Sequence, residues 1–112
     1  MKSERNSVQL IGRLGKDPDV KNYGEGKTRA AFSIATTDIF KNAKGETAED
    51  TQWHNLVLWG DLAEKAGEQL KKGVEISVEG KLKYRSYDSK GEKKFITEIS
   101  VNEFQKVERE QK

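Results

Sequence analysis

Residues 51–60 read Thr-Gln-Trp-His-Asn-Leu-Val-Leu-Trp-Gly, a β-strand pattern with apolar side chains on both faces. Side chains alternate along a strand, so one face carries His54, Leu56 and Leu58, and the other carries Trp53, Asn55, Val57 and Trp59. The leucines can line a core, which leaves both tryptophans of the chain on the opposite face. That second face needs a cover of its own: a helix, another subunit, or a ligand with flat π-surfaces such as nucleobases.

The composition indicates one small domain. A chain of 112 residues is long enough for a single hydrophobic core. Charged residues make up 36% of the chain, but the apolar residues recur periodically, which disfavours disorder. A net charge of +2 excludes a polybasic protein and still permits a local basic groove.

Several other classes of protein are excluded by what the sequence lacks. There is no cysteine, which excludes disulfide scaffolds and thiolate metal sites and fits a reducing compartment. The N-terminal residues contain no apolar stretch for secretion, and no segment reaches membrane-spanning length. We therefore expect a soluble cytoplasmic domain without membrane contact.

Alternating apolar residues predict five strands, at residues 7–14, 28–37, 51–60, 74–87 and 93–104. In the last of these, the predicted inward side chains are Phe95, Ile99 and Val101. Residues 38–50 read as a long polar loop. After the third strand, Asp61 is a candidate cap for a helix with apolar positions at Leu62, Ala63, Ala66 and Leu70. Three strands, a helix and a long hairpin are the order of an all-β fold with one helix, the five-stranded Greek-key barrel called the OB-fold.

Basic residues alternate with aromatic residues in the second half of the chain. Between positions 81 and 94 lie six lysines and arginines: Lys81, Lys83, Arg85, Lys90, Lys93 and Lys94. Three of them, Lys81, Lys83 and Arg85, share a strand face with Tyr87. Cations that follow phosphates beside rings that stack on unpaired bases are typical of single-stranded nucleic-acid binding. The alternative is that lysines solvate a sheet edge and prevent aggregation, but outward-facing tryptophans favour a binding surface.

His54 is the one histidine of the chain and shares its strand face with leucines. No neighbouring cysteine or histidine supplies further metal ligands, and no serine or cysteine nucleophile motif accompanies it. We interpret His54 as structural, in the core or in a subunit contact, and predict neither an enzyme, nor a metal site, nor a cofactor.

Together these motifs resemble one family, the bacterial single-stranded DNA-binding proteins. The matching segments, in order, are Asn6-x-Val8-x-Leu10-x-Gly12-x-Leu14-Gly15-x-Asp17-Pro18, Ala35-Thr-Thr with Phe40, Trp53-His54 through Leu58-Trp59-Gly60, Leu62-Ala63-Glu64, Leu70-x-Lys72-Gly73, and Glu79-Gly80-x-Leu82-x-Tyr84-Arg85. The resemblance covers residues 6–104.

The resemblance implies an OB-fold homotetramer that binds single-stranded DNA without strong sequence preference and protects it in replication, recombination and repair, in the cytoplasm at the nucleoid. It implies base stacking at Phe40, Trp53, Trp59 and Tyr87, and a place for His54 in the subunit interface. We expect phosphate contacts from Lys72, Lys83, Arg85, Lys90 and Lys93. The alternatives are a primosomal or RNA-binding OB protein, and a structural assembly module whose tryptophans are buried between subunits.

The sequence departs from the family at two places. Phe40 and Tyr87 stand where other members often have tryptophan. We assign residues 1–105 to the OB domain and residues 106–112 to a short polar tail. This tail lacks the acidic-hydrophobic tip of the family, so we do not expect it to recruit protein partners as that tip does.

Overall fold

The computed structural model describes residues 5–107, so the last five residues of the chain lie outside the described part. Its elements, in chain order, are β1 (Val8–Leu14), β2 (Asp19–Asn22), β3 (Thr28–Lys41), β4 (Thr47–Trp59), α1 (Asp61–Gln69), β5 (Glu75–Ser89) and β6 (Glu92–Lys106). The prediction of an all-β fold with one helix is confirmed.

Five strands close into a barrel in the order β1-β5-β6-β4-β3, and β2 is added at the outer edge of β3. The pairing of β1 with β3 closes the barrel through two pairs, Arg13 with Ala35 and Leu14 with Ile34. The pairing of β4 with β6 is parallel and equally short, at Leu56–Ile99 and Val57–Ser100. The architecture is therefore the predicted OB barrel, with two short seams between longer antiparallel ladders.

The core follows the predicted alternation over most of the barrel. The largest fully buried side chains are Ile34, Leu56, Leu58 and Ile76, which come from three strands. Helix α1 adds its buried alanines to the same cluster. Because core side chains fill the interior of the barrel, its outer face remains for partners.

The predicted polar loop at residues 38–50 is wrong. Strands β3 and β4 continue beyond the barrel as a two-stranded arm, paired as far as Lys41 and Thr47. The Asn42 side chain accepts hydrogen bonds from the backbone N–H groups of Lys44 and Glu46, at 2.9 and 3.1 Å, and so shapes the turn. An arm with exposed faces needs few apolar residues, which explains why its sequence looks like a loop.

Two local details also differ from prediction. Strand β2 was not predicted, because its four residues are all exposed and give no alternating signal. Asp61 is the first residue of α1 and not its cap. The cap position is Gly60, whose φ of 67° suits glycine, and no side chain caps the helix there. Asp61 still places a carboxylate in the first turn, where the helix dipole favours it.

The prediction that Phe95 points into the core is wrong, because 74% of this residue is exposed. It pairs with Ser86 in the part of the β5–β6 hairpin that extends past the barrel, where no core is available. Closer to the barrel, the ladder shifts register between Glu79 and Gly80. The shift makes Asn102 an extra residue and brings Phe104 to the core, where it is buried.

Candidate nucleic-acid interface

An open groove of about 680 Å³ crosses the outer face of the barrel, where the β5–β6 hairpin meets the ends of β3 and β4. Its lining residues are Tyr23, Arg29, Val57, Trp59, Lys83, Tyr84, Arg85, Glu98 and Ser100. Aromatic rings, three cations and one carboxylate therefore line the same surface. We refer to these nine residues as the groove.

Trp59 is the central ring of the groove, and 54% of it is exposed. The Tyr23 ring lies 6.4 Å from it, centroid to centroid, with the planes tilted by 35°. The Arg29 guanidinium carbon lies 5.9 Å from the Trp59 ring centroid, within the range of a cation–π contact. Trp59 is thus supported by neighbours and still has surface for a further flat group.

The carboxylate of Glu98 connects the two groove arginines. Oε1 accepts a hydrogen bond from Arg85 Nε at 2.8 Å, and Oε2 accepts one from Arg85 Nη2 at 3.2 Å. Arg29 Nη2 lies 3.7 Å from Oε2. The hydrogen bond to Glu98, with its negative charge, raises the pKa of Arg85 above its ordinary value. A guanidinium is charged at neutral pH in any case, so the cluster of two arginines and one carboxylate keeps a net positive charge.

Trp53 lies on the same outer face of β4 as Trp59, at the other end of the strand's barrel portion, and 61% of it is exposed. Its ring passes over Gly15, where an added Cβ would lie 2.5 Å from the ring atom Cζ3. The same loop contacts Lys72, whose backbone N–H donates to Asp17 Oδ1 at 2.8 Å. Trp53 and Lys72 are thus both associated with the loop between β1 and β2.

The remaining predicted residues fall on both faces of the hairpins. Tyr87 follows Lys83 and Arg85 on the outer face of β5, whereas Lys93 lies on the opposite face of β6, beside Phe95. Lys90 occupies the β5–β6 turn with a φ of 51°. In the arm, unbroken register places Phe40 on the face opposite to Trp53.

The structure therefore brings Trp59, Lys83, Arg85 and Tyr87 onto one face, with Trp53 further along it. Phe40 and Lys93 do not share that face. The predicted contacts of all these residues with DNA stay predictions.

Several residues on this surface were not among the predicted site residues, including Tyr23, Arg29 and Glu98 of the groove and Lys94 beside it. Lys94 pairs directly with Tyr87 across the β5–β6 ladder. Arg29 interrupts a face of small side chains, which was a usable signal. Tyr23 follows a strand that gave no pattern, and the pairing of Glu98 with arginines of two other strands depends on tertiary structure.

His54 is half-buried on the inner face of β4, opposite Ile34, where the arm leaves the barrel. Its Nε2 atom lies 2.9 Å from Thr36 Oγ1, and the two groups share a hydrogen bond. This contact supports the structural interpretation of His54. Its place in a subunit interface stays a prediction.

The chain as a whole is similar to known proteins. The model of the Single-strand binding protein family matches residues 5–107. This chain belongs to that family. Among curated members, single-stranded DNA-binding protein 1 of Xylella fastidiosa (strain 9a5c) is 44% identical over 108 residues, which cover 95% of this chain and 79% of the relative. Single-stranded DNA-binding protein 1 of Chlorobaculum tepidum is 41% identical, over 89% of this chain and 63% of the relative.

Solved structures of the family have the same fold. The Plasmodium falciparum SSB, solved in complex with ssDNA, superposes with a TM-score of 0.79 at 30% identity and covers 96% of both chains. A deletion mutant of the single-stranded DNA binding protein from Thermus aquaticus also gives a TM-score of 0.79, at 34% identity. That alignment covers 92% of this chain and 50% of the other.

The described residues contain neither a membrane-spanning helix nor a metal-binding cluster. Among residues 5–107, no helix combines the length and the apolar character that a membrane crossing requires. In the same described segment, no cluster of three or more His, Cys, Asp or Glu residues could hold a metal ion.

Proposed function

We propose that this chain binds single-stranded DNA without strong sequence preference, and that it protects exposed single strands in replication, recombination and repair without catalysing a reaction. The observation that carries the proposal is a half-exposed Trp59 in an open groove with Arg29, Lys83 and Arg85. Aromatic rings stack on unpaired bases of any identity, since every base has a π-face, and the cations bind phosphates. The family relationship supports the same conclusion.

The contacts divide between stacking and charge. We assign base stacking to Trp59, Trp53, Tyr87 and Phe40, in order of decreasing support from the geometry. Phosphate contacts are assigned to Lys83 and Arg85 in the groove. Beyond it, the same role is proposed for the exposed lysines Lys72, Lys90 and Lys93. Because Phe40 and Lys93 lie on other faces, a strand that touches every site has to wrap around the domain.

We further propose that the protein assembles into a homotetramer. Within the described chain, residues 8–12 of β1 pair with β5 along one edge, whereas the pairing with β3 involves Arg13 and Leu14. An edge of this kind is available to a second copy. Ile11 on this strand is exposed. We assign His54, near the root of the arm, to the same interface.

Titration of intrinsic tryptophan fluorescence tests the binding proposal. Poly(dT) is expected to quench emission strongly, since stacked bases approach Trp53 and Trp59. Poly(rU) and a blunt duplex of equal length are the comparison ligands. Tighter binding to the RNA would favour the RNA-binding alternative. Unchanged emission with all three ligands would favour an assembly module with tryptophans between subunits.

A further inference from the structure

Glu98 is an unexpected residue in a groove for a polyanion. Among the charged residues in the described part of the chain, Glu98 is the buried one, with 9% of its surface exposed. A fixed carboxylate repels phosphates, and burial weakens the screening of that repulsion by solvent. Charge alone therefore predicts that Glu98 reduces the affinity of the groove for DNA.

The contacts of Glu98 instead indicate that it favours DNA binding. Its two oxygens hold Arg85 of β5 in a bidentate pair, at 2.8 and 3.2 Å, and one of them lies 3.7 Å from Arg29 of β3. Arg29 in turn lies over the Trp59 ring. One carboxylate on β6 thus fixes a cation on each side of it and, through Arg29, the ring beside them.

We propose that Glu98 is a positioning residue, which holds Arg85, Arg29 and Trp59 in the arrangement that receives one nucleotide of single-stranded DNA. The inference rests on the proposed function. A guanidinium has five N–H donors, and Glu98 occupies two of those on Arg85. About half of the Arg85 side chain is exposed, so its remaining donors face the groove and can bind a phosphate while the base lies against Trp59.

The advantage of this arrangement is preorganisation. A free arginine on a strand surface samples many rotamers, and DNA binding has to immobilise it at an entropic cost. Glu98 immobilises two arginines before DNA arrives. Two guanidinium charges against one carboxylate still leave the cluster with a net charge of +1, so the groove attracts phosphate after the pairing.

Glu98→Gln tests the proposal because charge and positioning predict opposite signs. The variant keeps the shape of the side chain and removes one negative charge from the protein. We expect its affinity for a dT oligonucleotide to fall by about three- to tenfold and its salt dependence to become shallower, because fewer ordered cations meet phosphates. Glu68→Gln on α1 makes the same charge change outside the groove and is expected to bind like the wild type.

A double-mutant cycle with Arg85→Ala distinguishes positioning from a general structural effect. If Glu98 acts through Arg85, Glu98→Gln costs much less in the Arg85→Ala background than in the wild type. Circular dichroism and thermal unfolding show whether each variant is folded. Should Glu98→Gln not fold, Arg85→Lys removes the bidentate pair at constant charge and is expected to weaken binding by a similar factor.

The outcomes separate this inference from the proposed function. If wild-type protein does not bind the dT oligonucleotide, the proposed function fails. If the wild type binds and folded Glu98→Gln binds as tightly or more tightly, the positioning role is wrong. Additive losses in the cycle, or wild-type affinity of Arg85→Lys, would overturn it too.

Discussion

Trp59 is the aromatic side chain whose surroundings best match a stacking site. It is half-exposed, has a second ring 6.4 Å away and has the Arg29 guanidinium over it. Phe95 is more exposed, but it lies on the opposite face of the β5–β6 hairpin from Arg85. Exposure alone therefore does not identify a binding residue; for Trp59, the arginine over its ring and the shared groove do.

Replacing Trp59 with alanine is expected to cost about 1–3 kcal/mol of binding free energy for a dT oligonucleotide, the usual value of one base–aromatic stack. Trp53 remains as the fluorescent reporter in this variant. Phe95→Ala removes an exposed ring outside the groove and serves as the comparison variant, for which a smaller loss of affinity is expected. Equal affinity of the wild type and Trp59→Ala would show that the groove is not the stacking site.

The two hairpins that extend beyond the barrel show where sequence reasoning succeeds and where it stops. Alternation predicted the inward positions Ile34, Leu56 and Ile76, because burial imposes a period of two on strands that surround a core. The same logic failed at residues 38–50 and at Phe95. Both lie where strands continue past the core, so burial no longer dictates which residue types occur.

The binding surface was predictable to a similar extent. Lys83, Arg85 and Tyr87 share a face by simple alternation, so the sequence alone places them together. The partnership of Glu98 with Arg29 and Trp59 joins β6 to the β3–β4 hairpin, which is distant from it in sequence. It follows from barrel closure, which no local pattern encodes.

The bulge in the β5–β6 hairpin leads to a prediction about stability. An added Cβ at Gly80 would collide with the backbone carbonyl oxygen of Ser100, which cannot move without breaking the ladder. We expect Gly80→Ala to lower the free energy of unfolding by about 1–3 kcal/mol or more, the usual cost of overpacking. Urea denaturation measures it, with Ser86→Ala on the exposed part of the strand as the control. A Gly80→Ala protein of wild-type stability would contradict the close approach.

The net charge of +2 is too small for long-range attraction to DNA, so the local cations have to supply the electrostatic part of binding. The logarithm of affinity should fall with the logarithm of salt concentration, with a slope near −0.7 per phosphate neutralised. Lys83→Ala should make this slope shallower by about 0.7 and should weaken binding to DNA of different sequences by the same factor. Lys65→Ala on α1, outside the groove, should keep the wild-type slope. An affinity that does not depend on salt would exclude the phosphate contacts.

The proposed tetramer is tested by its mass in solution. Light scattering should give about 51 kDa, four times the 12.7 kDa of one chain. His54→Ala removes the hydrogen bond to Thr36 and is expected to shift the population toward smaller species. A mass of one chain for the wild type at micromolar concentration would rule out the tetramer.

The parallel seam between β4 and β6 has a consequence for how the barrel opens. Two residue pairs, Leu56–Ile99 and Val57–Ser100, close it there, and both Glu98 and Trp59 lie within two residues of the seam. Such a short pairing is a natural place for local opening. A DNA strand that runs from Trp59 to Arg85 bridges the two sides and holds them together. Bound DNA should then slow amide hydrogen exchange in residues 56–57 and 99–100, although it touches few of those amides. Because DNA binding and seam closure then stabilise each other, a substitution that loosens the seam should weaken the affinity for DNA even though every protein–DNA contact remains.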